Sequence, residues 1–115
     1  MGEAQDQFDL LSAWVEGVGD AVRGGAMDEL TLSEVASALD TLTDVIGHVT
    51  DLVAMVHERG TAVRESEKAR RDQEWFAVTG IALLEVEHTG NMLIVAHHLS
   101  ARAHSALTEV TGSKT

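Results

Sequence analysis

The strongest pattern in the chain lies in residues 32–56. Leu32, Val35, Leu39, Leu42, Ile46, Val49, Val53 and Val56 recur at alternating steps of three and four. That is the a/d spacing of a helix packing on another helix. Ala38, Val45 and Leu52 add a second row at steps of seven. The apolar face is wider than a two-stranded seam needs, and it suits a bundle. Thr31 or Asp28 can cap the start of this helix, and Thr31-Leu32-Ser33-Glu34 reads as a capping box. Arg59 and Gly60 read as its end.

Two further helices are predicted around it. Phe8, Leu11, Val15, Val18 and Val22 form one stripe at helical spacing, ended or kinked by Gly24-Gly25. After Gly60 the segment TAVRESEKARRDQE is polar on all sides and helix-prone, with Glu67 and Arg71 four apart. It reads as the exposed first turns of a third helix. That helix continues through Trp75, Thr79, Ala82, Val86, Thr89, Leu93, Ala96, Ser100, Ala103 and Leu107, again at steps of four and three. The stripe keeps phase across Gly90, which favours one long helix over two. The expected architecture is therefore all-α, with helices at about 6–23, 29–59 and 62–110. It is a long antiparallel hairpin turning at Gly60, or a three-helix bundle, packing as a dimer. Residues 1–110 form one domain and 111–115 a disordered tail.

Composition narrows the classes of function. The chain has 115 residues, no proline and no cysteine. Lack of cysteine excludes disulfides, thiolate zinc sites and a cysteine nucleophile. Net charge is −11, and it is unevenly spread. Residues 1–58 carry twelve acids and one base, whereas residues 59–75 carry five bases and four acids. Such a surface repels phosphate backbones and anionic lipid, so neither a nucleic-acid nor a membrane partner is expected. The stretch from Phe76 to Leu99 is the most apolar, but Glu85, Glu87 and His88 interrupt it, so no spanning helix is expected. The start, MGEAQDQFD, is acidic and does not read as a classical signal peptide. A soluble, cytoplasmic protein is the expectation.

Candidate chemistry is sparse. There is no Gly-x-Ser-x-Gly elbow, Walker loop or Gly-x-Gly-x-x-Gly, and no enzyme or cofactor is expected. Six histidines invite a metal reading. Its sharpest form is Glu85 with His88, an i,i+3 pair of the kind used in di-iron carboxylate bundles. One such pair is half a site, which a dimer axis or Asp44 and His48 would have to complete. The alternative is that Glu85 sits at the edge of an apolar face and reaches water or an arginine. Asp44, His48 and Asp51 share a face opposite the heptad row and read as solvated. His57 is expected to be exposed beside the turn. The cluster Arg59, Arg64, Lys68, Arg70 and Arg71 reads as a salt-bridged helix end or as a docking tip for an acidic partner. Trp75-Phe76 reads as a cap on the core or a binding hot spot.

The plan of about 100 residues in two helical arms, acidic, cysteine-free and turning near the middle, resembles the ESAT-6/WXG100 class of type VII secreted proteins. That family has Trp-x-Gly at its central turn, where this chain has His57-Glu58-Arg59-Gly60. Its tyrosine-based tail signal is absent, since the chain has no tyrosine. The resemblance implies a secreted helical hairpin. The residues themselves point to a non-enzymatic interaction protein that self-associates and binds a protein partner. Its expected interface is Leu32, Val35, Leu39, Leu42, Ile46, Val49, Val53 and Val56, with Trp75 and Phe76.

Overall fold

A computed structural model describes residues 2–26 and 28–112. They form three α-helices, α1 (Glu3–Arg23), α2 (Leu32–Glu67) and α3 (Gln73–Gly112), and no strand. The chain divides into two units, residues 1–31 and 32–115.

In the first unit, α1 ends where Gly24-Gly25 predicts. The Ala26 amide donates to the Ala21 carbonyl and the Gly25 amide to the Val22 carbonyl. This is the two-bond closure of a Schellman cap, and it needs a left-handed residue. Gly25 supplies it at φ 97°. The stripe of α1 keeps Phe8, Val15, Val18 and Val22 exposed, while Leu11 is half-buried.

The second unit is an antiparallel hairpin of α2 and α3, as expected, but it turns later than Gly60. α2 starts at Leu32, one residue after the Thr31 candidate cap and about three later than the expected bound of 29, and then runs through Gly60 to Glu67. A single 3-10 turn, Lys68–Arg70, follows. α3 begins under Asp72, whose side chain accepts from the Trp75 amide at 2.8 Å. Carboxylates are favoured at this position because they satisfy amides that the helix leaves free. Residues 61–67 are thus the last turns of α2 and not the first of α3. α3 is continuous across Gly90 and includes residues 111 and 112. The rest of the expected disordered tail, 113–115, lies outside the described residues.

Gly60 does not stop α2 because it is filled from the other side. A Cβ on Gly60 would lie 2.6 Å from Leu83 Cδ2, so the bare backbone is what admits the leucine. Gly80 does the same in reverse. A Cβ there would stand 2.8 Å from an Arg64 guanidinium nitrogen and 3.3 Å from its Cζ. Glycine in a helix interior costs about 1 kcal/mol relative to alanine, and close packing offsets that cost here. Gly17, in α1, has nothing within 4 Å of such a Cβ. Gly17→Ala is therefore expected to raise helicity and stability, by up to about 1 kcal/mol. Gly80→Ala is expected to lower the thermal midpoint despite its better propensity, because Arg64 must leave its seat. Circular dichroism melts of the two variants at one concentration check the contrast.

The face that α2 turns to α3 differs from the predicted row by one step. The seam runs through Ala36, Leu39, Thr43, Ile46, Thr50, Val53, His57, Gly60, Arg64 and Glu67, all buried or half-buried. Leu39, Ile46 and Val53 belong to both rows. Thr43, Thr50 and His57 stand where Leu42, Val49 and Val56 were expected. α3 shifts in the same sense. Thr79, Val86, Leu93, Ser100 and Leu107 are kept, while Phe76, Leu83, Gly90, His97 and His104 replace Trp75, Ala82, Thr89, Ala96 and Ala103. The hairpin thus closes on large apolar residues interleaved with small and polar ones. Thr43 and Ser100 share a hydroxyl–hydroxyl hydrogen bond of 2.5 Å across the seam. Among the described residues only Ala36 and Thr43 are buried, at 5% and 7% exposed.

Candidate helix-association surface

Turning the seam by one position leaves the larger apolar side chains outside. On α2, Leu32, Leu42 and Val56 are exposed, whereas Val35 and Val49 are half-buried beside the seam. On the side of α3 away from α2 a row of apolar residues is open to solvent. Val78 is 58% exposed, Ile81 63%, Met92 66%, Val95 49% and Leu99 57%. These five share one heptad register, as two apolar segments on either side of Glu85 and His88. Single exposed hydrophobics are ordinary on soluble proteins, but an apolar row on one helix face marks a candidate association surface. No helix among the described residues is long and apolar enough to cross a membrane.

Glu85 and His88 fall within this strip, and both are exposed. The hairpin brings them no third donor. Among the described residues no three His, Asp or Glu side chains come close enough to share one ion. Asp44, His48 and Asp51 are exposed on α2. His57, expected at an exposed turn, is half-buried in the seam, because the turn comes ten residues later. His97 also faces the seam, with its ring 3.5 Å from where a Gly47 Cβ would stand. The His98 ring meets it edge-on, with 6.3 Å between centroids.

The hairpin tip is built around Arg64, whose role the sequence did not reveal. Its guanidinium Cζ lies 3.5 Å from the Phe76 ring centroid. Its nitrogens donate to the Phe76 carbonyl, at 2.8 and 3.3 Å, and to the Thr79 hydroxyl at 3.0 Å. The fork geometry of arginine is what serves an aromatic face and two oxygens together. Trp75 and Phe76 are half-buried at this end, and Arg71 lies over the Trp75 ring at 5.3 Å. Around them the basic cluster pairs locally: Lys68 with Glu65, and both Arg70 and Arg71 with Glu67. The hydrogen bond from Lys68, and its charge, hold the Glu65 carboxyl below its usual value. A lowered carboxylate adds stability at neutral pH that is lost as the solution is acidified through the folded-state value. Exposure keeps that contribution small.

Comparison with protein-family models, with curated proteins and with solved structures found no match to this chain.

Proposed function

We propose that this chain is a non-enzymatic helical interaction protein that acts through self-association and through binding of a protein partner. One observation carries the reading. The hairpin sets many small and polar residues among the apolar ones of its own seam and leaves Val, Ile, Met and Leu exposed at heptad positions on the far side of α3. Burying one such side chain is worth about 1.5–3 kcal/mol, and this unit buries none of the five deeply. Helix-on-helix association is the geometry that heptad spacing serves. The acidic surface favours a protein over nucleic acid or anionic lipid as partner.

Multi-angle light scattering across a concentration series tests this. The expected result is a mass of twice the 12.3 kDa chain at high concentration, falling on dilution. A monomer at every concentration, with no dye binding to exposed apolar surface, would overturn self-association.

A second reading, a type VII-like secreted hairpin, draws support from the antiparallel pair of long helices. The turn between them, residues 68–72, holds no Trp-x-Gly. Export dependent on a type VII secretion ATPase is its test. Retention of the chain in the presence of that machinery counts against it.

A further inference from the structure

From Val78 to Val95 the polarity of the α3 strip is palindromic. Reading outward from the point between Glu85 and His88, each direction gives one polar residue and then two apolar ones: Glu85, Ile81, Val78 one way, and His88, Met92, Val95 the other. All six side chains are exposed in the protomer. A two-fold interface has this property by construction, since whatever residue i meets, its counterpart meets i. The two central residues are also complementary, an acid on one side of the axis and a base on the other.

We propose that a second copy of this chain docks antiparallel on this strip, α3 against α3, with the two-fold axis between Glu85 and His88. The inference rests on the self-association reading above and adds the face, the direction and the register. In this register Glu85 lies against His88 of the second copy, Ile81 against Met92, and Val78 against Val95. These three layers each pair like with like, and the layer beyond them sets Leu99 against Glu74 at the edge of the interface.

The other registers are worse. Sliding by one heptad sets Glu85 against Val95 and His88 against Met92, which buries a carboxylate without a partner. Sliding by two sets Glu85 against Arg102, but places Val78 against Glu109 and leaves His88 against Leu99. Parallel docking puts Glu85 beside Glu85, and like charges in an interface are strongly disfavoured. The Glu85–His88 pair thus selects the register much as a single polar layer does in coiled coils.

The chain has no cysteine, so introduced thiols report position without background. Val78→Cys chains are mixed with Val95→Cys chains and oxidised mildly. The expected product is the mixed 78–95 disulfide, with little product from either variant alone. On one helix these positions are roughly 26 Å apart, so the bond must join two chains. Cross-linking of Val78→Cys with itself would overturn the register. A dimer by light scattering with no cross-link would overturn the face; in both cases self-association itself stands. A monomer under all conditions would overturn both readings. Glu85→Lys provides the second readout, since both central side chains are exposed in the protomer and the fold tolerates the change. It is expected to raise the dimer Kd at least about tenfold, and Glu85→Lys with His88→Glu to restore it within about threefold. An unchanged Kd in Glu85→Lys would overturn the central pair.

Discussion

Ile81→Glu combined with Met92→Glu is expected to raise the dissociation constant for self-association at least about 100-fold while leaving helicity unchanged. Each substitution removes an apolar side chain whose burial contributes about 1.5–3 kcal/mol. Two lost on each chain exceed the roughly 2.7 kcal/mol that a hundredfold change requires. The glutamates also face one another across the axis, which adds repulsion. Both positions are more than 60% exposed in the protomer, so the hairpin itself has nothing to lose there. Sedimentation or light scattering at fixed ionic strength measures the first quantity and far-UV circular dichroism the second. An unaltered dissociation constant would mean that the strip is not where the chains meet. A loss of helicity at concentrations where the parent chain is already monomeric would mean that the strip is part of the protomer's own core.

Arg64→Ala is expected to be the most damaging single truncation within the hairpin. The side chain sits on the Phe76 ring and bridges a carbonyl and a hydroxyl of α3. A hydrogen bond to a charged group contributes about 1.5–3 kcal/mol, and a cation–π contact about 0.5–2 kcal/mol. These contributions overlap, and the site is only half-buried, so about 2–3 kcal/mol is the expected loss. For a unit of this size that corresponds to a fall in the thermal midpoint of roughly 8–20 °C. Arg64→Lys keeps the charge and loses the fork, and it should recover less than half of the difference. Total chain concentration must be equal in all melts, because association would shift every midpoint. A midpoint within about 2 °C of the parent would show that the tip contributes little to holding the arms together.

Much of the architecture was legible from spacing alone. The phase kept across Gly90 foretold a continuous α3, and Gly24-Gly25 foretold the end of α1. Leu39, Ile46 and Val53 of the predicted row lie in the seam between α2 and α3. The other half of the seam was not legible, because hydrophobicity chose between neighbouring positions and preferred Leu42, Val49 and Val56 to Thr43, Thr50 and His57. Close approach of two backbones rewards small side chains, and that reward does not register as hydrophobic periodicity. The position of the turn was hidden for a related reason. Gly60 carries the local signature of a helix end, but Leu83 fills the space it leaves. The true boundary carries no glycine or proline and is marked only by Asp72 at the start of α3. Arg64 was grouped with its charged neighbours, since nothing local distinguishes a guanidinium that turns inward. Glu85 and His88 were singled out as possible ligands. Their place in the strip makes them equally suited to recognise one another across two chains.

A seam in which threonine, serine, glycine and histidine alternate with the apolar residues, and in which only Ala36 and Thr43 among the described residues are buried, has a consequence for proteolysis. Such a seam offers little resistance to local opening, so the hairpin by itself will expose backbone to proteases often. If the proposed association holds, assembled chains will be cut more slowly than chains left alone.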